Sequence, residues 1–125
     1  MVPNEDLIED FSAVRAQQDA TPWQSLWAQA DLAYAIAVER GRRTATLLFE
    51  ATGLSKPYIR QIINVAETFP PARRDPRLTF SHFRVAAPTA EPYLWIERAA
   101  EGGWSVKRLS QEIEAERDRD AQRGR

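Results

Sequence analysis

The residues that most limit what this chain can become are Thr52-Gly53-Leu54-Ser55, in the middle of TATLLFEATGLSKPYIRQIINVAETF at residues 44–69. Glycine takes a positive φ without strain, which the cap of a helix C-terminus requires, and Gly53 stands where such a cap is needed. Ser55 follows closely enough to cap the next helix with its hydroxyl. The spacing therefore predicts two helices joined by a tight turn. Leu47, Leu48 and Ala51 supply the apolar side of the first. In the second, Tyr58, Ile59, Ile62, Val65, Ala66 and Phe69 recur with the period of a helix and define a buried face, which turns Ser55, Lys56, Arg60, Gln61 and Asn64 the other way. This is the pattern of a helix-turn-helix, with residues 55–69 as its outward-presenting helix.

Donors arranged in this way suit phosphates and base edges. The net charge of −1 does not by itself advertise a nucleic-acid partner, but the charge is unevenly spread. Residues 1–39 hold 7 acidic and 1 basic side chain, residues 40–84 hold 3 acidic and 9 basic, and residues 85–125 hold 8 acidic and 7 basic. The middle block contains Arg40, Arg42, Arg43, Lys56, Arg60, Arg73, Arg74, Arg77 and Arg84. Fields are screened beyond about 10 Å at moderate salt, so a local basic patch attracts phosphate even on an acidic protein.

Elsewhere the chain is a series of short amphipathic segments with glycine and proline stops. Asn4 is placed to cap a helix whose stripe is Leu7, Ile8, Phe11 and Val14, which makes residues 1–20 a candidate docking or dimerising helix. Thr21 and Pro22 start a stronger helix in which Trp23, Leu26, Trp27, Ala30, Ala33, Tyr34, Ala37 and Val38 form a wide apolar face, ended by Gly41; both tryptophans are expected in the core. Pro70-Pro71 stops the helix of residues 55–69, and Ala72 to Arg77 connect irregularly. FSHFRVAA is a short helix closed by Pro88. Its His82, the only histidine, is expected to pack or cap rather than catalyse. Thr89 is placed to cap a further helix, Gly102-Gly103 ends it, and Trp104 anchors the turn before Ser105 opens a last helix with Val106, Leu109 and Ile113 inward. The run EAERDRDAQRGR from residue 114 has no apolar stripe and is expected to be a frayed or disordered tail. No stretch alternates with the period of a strand. The expectation is an all-α fold, an orthogonal array of about seven helices containing the helix-turn-helix, as a single domain over residues 1–113.

ATGLSKPYIRQIINVAETFP followed by LTFSHFRVAAPTAEPYLWIERAAEGGWSVKRLSQEI resembles the helix-turn-helix domain of ParB-type partition proteins. With the upstream tryptophan-rich helix included, the chain looks closer still to LmbU-type transcriptional regulators, over roughly residues 23–113. The likeness implies sequence-specific duplex binding by a small regulator, with the recognition helix falling on Ser55 through Asn64. Two departures accompany it. The first 43 residues contain no glycine-rich phosphate loop, so nothing supports a CTP-dependent clamp, and Phe49 stands where a small residue is usual four places before the turn glycine.

Together these features predict a DNA-binding regulator whose contacts are Arg42, Arg43, Ser55, Lys56, Tyr58, Arg60, Gln61, Asn64, Arg73, Arg74 and Arg77. Double-stranded DNA is the expected partner. A homodimer on an inverted repeat is also expected, because one helix reads too few base pairs for tight specificity. The alternative is an adaptor, or a partition or replication accessory protein, that uses its acidic N-terminal helices to hold a protein partner. With no cysteine, a single histidine and no paired carboxylates in an apolar setting, neither an enzyme, a metal site nor a cofactor is expected. No apolar run is long enough to span a membrane, and Pro3, Asn4, Glu5 and Asp6 do not make the start of a signal peptide, so the expected location is cytoplasmic and nucleoid-associated.

Overall fold

A computed structural model describes residues 22–124, with side chains from Leu26 onward. The expected helix at the N-terminus, with its cap at Asn4, and the acidic residues around it lie outside the described residues. Those described are all-α. They form α1 (Pro22–Arg40), α2 (Thr44–Thr52), α3 (Lys56–Thr68), α4 (Phe80–Ala86), α5 (Pro92–Gly102) and α6 (Val106–Arg123), with short 3-10 helices at Gly41–Arg43 and Pro71–Arg73. No strand occurs among them. The contacts divide the chain into two compact units, between Ala72 and Arg73.

The first unit is built around the turn at Gly53. Gly53 has φ of 78° and its N–H donates to the Phe49 carbonyl, while the Ser55 hydroxyl accepts from Tyr58 N–H at 3.3 Å. Thr52 tightens the same turn by donating its hydroxyl to the Leu48 carbonyl at 2.6 Å and accepting from Leu54 N–H at 3.2 Å. α3 packs against both α1 and α2. Its buried residues are Ile59, Ile62, Val65 and Ala66, followed by Phe69, and they meet Ala30, Ala33, Ile36, Ala45 and Leu48 in the core of this unit. Several apolar assignments change. Trp27, expected in the core, is half-buried, as are Leu26, Tyr34, Ala37 and Leu47, and the Trp23 side chain lies outside the described ones. Tyr58 is half-buried, Ala51 is exposed, and Val38 is 71 % exposed because it lies on the side of α1 opposite Ala30, Ala33 and Ile36.

In the second unit, α4 packs against α5 and α6, and α5 packs against α6. Phe80, Phe83, Trp95, Ile96, Leu109 and Ile113 are the large buried residues. His82 caps as expected. Its Nδ1 accepts from Thr79 N–H at 3.0 Å and lies 2.7 Å from the Thr79 hydroxyl, and its Nε2 is 2.8 Å from the Trp104 carbonyl. A carbonyl only accepts, so Nε2 is the donor and the histidine ties the start of α4 to the turn before α6. That turn ends α5 at Gly103, whose φ is 63°, and lays the Trp104 indole directly over Gly102.

Two further assignments change here. Thr89 does not cap α5, whose N-cap is Glu91 with no side-chain hydrogen bond; the Thr89 hydroxyl instead donates to the Ala86 carbonyl at the end of α4. The charged run after residue 113 continues α6 as helix through Arg123. Ion pairs one turn apart, Glu116 with Arg119 at 2.6 Å and Asp120 with Arg123 at 3.3 Å, accompany the helix where no apolar stripe does.

Candidate nucleic-acid interface

Packing of one side of α3 decides what its other side offers. Ile59, Ile62, Val65 and Ala66 fix the helix inward, so Ser55, Arg60 and Gln61 are exposed and Lys56 and Asn64 are half-buried. Lys56 is held beside the turn, with its Nζ 5.7 Å from the centre of the Phe49 ring, a distance at which the ammonium is attracted to the ring face. Phe49 therefore does not wedge α2 from α3. It is 45 % exposed and serves as a platform for the lysine. The Asn64 carbonyl oxygen accepts from the Thr68 hydroxyl at 3.4 Å, which leaves the amide N–H donors as the part of Asn64 suited to an acceptor.

Arg42 and Arg43 sit on the 3-10 turn after α1, both exposed. Gly41 has a positive φ of 58°, and the Thr44 hydroxyl donates to its carbonyl at 2.8 Å, so the turn that carries the two arginines is closed by its own backbone and side chain. Arg42, Arg60 and Asn64 border the same surface hollow, of about 340 Å³, together with Ile63 and Glu67. Arg40, counted in the same basic block, is half-buried, and its Nε is buried without a hydrogen-bond partner.

The first eight members of the expected contact set, Arg42 through Asn64, thus belong to one unit, and Arg73, Arg74 and Arg77 to the other. Arg73 is exposed with its guanidinium 4.7 Å from the centre of the Tyr93 ring, and Arg74 is half-buried. Arg77 is engaged by Asp75, which accepts from the Arg77 backbone N–H at 2.9 Å and from Nε and Nη2 at 3.0 and 2.7 Å. Those donors, the side-chain bonds first, hold the Asp75 carboxyl down at about 2 against an ordinary 3.8. A carboxylate depressed by folding supports its local structure above the ordinary value and loses that support as pH falls through the depressed one. The Asp75–Arg77 pair is accordingly expected to open between pH 3.8 and about 2. Carbon-detected NMR of the Asp75 carboxyl checks this, and a midpoint at the ordinary value would mean that the pair does not persist in solution.

Glu67 and Ile63 were missed from the sequence as parts of this surface. Glu67 lies about two turns beyond Arg60 and one beyond Asn64, on the same stripe, but an acidic residue does not answer a search for phosphate ligands. Among the described residues no group of three or more histidine, cysteine or carboxylate side chains is placed to hold a metal ion, and no helix is long and apolar enough to cross a membrane. No protein-family model, curated protein or solved structure matches the chain.

Proposed function

We propose that the protein is a sequence-specific double-stranded DNA-binding regulator in which α2, the Gly53 turn and α3 act as a helix-turn-helix, as the likeness to LmbU-type regulators implies. α3 is the element offered to the major groove. Arg60 presents the planar fork that matches the two acceptors of a guanine, while Lys56, Gln61 and Asn64 address neighbouring base edges or phosphates. Ser55 and Tyr58 flank the N-terminal end of the helix, and Arg42 and Arg43 serve the backbone from the adjoining turn. Arg73, Arg74 and Arg77 contribute further phosphate contacts, with Arg77 giving up Asp75 to do so. The observation that carries this reading is the contrast across α3, whose packed side is fully buried while Arg60 and Gln61 on its other side are exposed.

Duplex affinity is expected to fall steeply with salt, the logarithm of the association constant changing by about −0.9 per phosphate neutralised for each logarithmic unit of salt. Fluorescence anisotropy against random-sequence and selected duplexes at several salt concentrations measures it; absence of duplex binding at low salt would end the proposal. The regulator is proposed to act as a homodimer on an inverted repeat, with residues 1–20 as its seam. Sedimentation of the whole chain and of one lacking residues 1–18 checks that, since an unchanged oligomeric mass removes the seam. An adaptor function has one observation in its favour, the exposure of Val38 and Phe49 on the first unit. An adaptor would show no duplex affinity at any salt.

A further inference from the structure

A hollow opens on each unit, and charged side chains line both. In the second unit, Glu116 and Asp120 at the rim are paired with Arg119 and Arg123 and Arg98 lies over the Trp95 ring at 5.0 Å, while Glu91 and Arg117 on the same rim take no ion-pair partner among the described residues. In the first unit, Arg42, Arg60 and Glu67 all line one hollow, yet among the described residues none of the three takes an ion-pair partner. Charges of both signs gathered around one space and left unsatisfied by each other complement a small molecule that itself carries both. The wall beneath them is apolar, formed by Ala37, Ala45 and Ile63, and the Thr44 hydroxyl at its edge is already spent on the Gly41 carbonyl. At about 340 Å³ the hollow lies at the lower end of small-ligand sites.

We propose that this hollow binds a free α-amino acid with an apolar side chain, and that occupancy withdraws Arg60 and Asn64 from DNA. The carboxylate meets the guanidinium groups of Arg42 and Arg60, the ammonium meets Glu67, and the side chain lies on Ile63 and the two alanines. A carboxylate held by two guanidiniums gains charge-assisted hydrogen bonds that a neutral ligand lacks. The binding half stands on the hollow alone, while the competitive half rests on the DNA-binding reading, because only a duplex contacting Arg60 and Asn64 is displaced by a ligand on the same side chains. By linkage, whatever factor the amino acid takes from duplex affinity, the duplex takes from amino-acid affinity.

Calorimetric titration of the whole protein tests the ligand class with L-leucine, isocaproate, which lacks the amine, and isoamylamine, which lacks the carboxylate. L-leucine is expected to bind about tenfold or more tightly than either analogue. Glu67→Gln should bring L-leucine down to the level of isocaproate and leave isocaproate unchanged, whereas Arg42→Gln should weaken both acids. Both replaced side chains are exposed, so neither variant disturbs the core. Absence of L-leucine binding, or equal binding of L-leucine and isocaproate, overturns the proposal. Duplex anisotropy then tests the competition. L-leucine should weaken duplex binding by the parent and leave Glu67→Gln unaffected, and a parent that binds L-leucine without any change in duplex affinity overturns the competitive half. A protein that binds no duplex even without L-leucine refutes the DNA reading instead, and the calorimetry then decides the ligand by itself.

Discussion

Truncating Ile59 to alanine should remove about 2–5 kcal/mol of folding stability, as large-to-small changes in packed cores do. Ile59 is completely buried on the side of α3 that also carries Ile62, Val65 and Ala66. Its neighbours belong to helices capped at Gly53 and Ser55, so they have little freedom to collapse into the space left behind. Urea unfolding followed by circular dichroism reports the loss as a fall in midpoint at unchanged slope. A midpoint equal to that of the parent would mean that α3 is not seated on α1 and α2 as described. Because the lesion lies beneath the helix, duplex binding should decline only to the extent that the protein unfolds, and stay normal at temperatures where the variant is folded.

Arg60, the next residue, should behave in the opposite way. Arg60→Ala is expected to cost about 1–3 kcal/mol on the preferred duplex and to relax discrimination at one base pair, with folding stability nearly unchanged because the side chain is exposed and takes no ion-pair partner among the described residues. Anisotropy on matched duplexes that differ at single positions measures both effects. If Arg60→Ala binds preferred and random duplexes as the parent does, Arg60 reads no base. The two substitutions together separate the seat of the helix from its working side. One should move stability and the other affinity, although their backbones are joined by a single peptide bond.

Features set by local stereochemistry were legible in the sequence. Gly53 and Gly103 stand at positive φ where a helix must end, the Ser55 and Ser105 hydroxyls accept from the backbone N–H groups of Tyr58 and Arg108 at the following helix starts, and the lone histidine caps. What depended on a third element was not. Val38 shares the residue type of its apolar neighbours on α1, yet the direction from which α3 approaches leaves it outside. Phe49 occupies a position where bulk was expected to crowd the turn, and instead it swings out under Lys56. Thr89 is equally suited to cap forward or back, and only the path of the chain after α4 decides for Ala86. The tail from residue 114 lacks the apolar stripe on which helix recognition relies, while its i,i+3 charge pairs are compatible with helix and with coil alike in a bare sequence. At the candidate interface, the exposure of Arg60 and Gln61 was legible from the helical spacing. Glu67 and the hollow it borders were not, because a concavity is a property of how α1 and α3 meet.

The indole laid over Gly102 ties a local pair of positions to a third, His82, that lies 22 residues before Trp104 in the chain. A side chain at 102 would run into the Trp104 ring, and the carbonyl of that same tryptophan is the acceptor of His82. In a library of random variants, changes at 82, 102 and 104 should therefore survive in combination more often than singly. A tolerated larger residue at 102 should arrive with a smaller one at 104, an epistatic signature that selection for folding alone would leave behind.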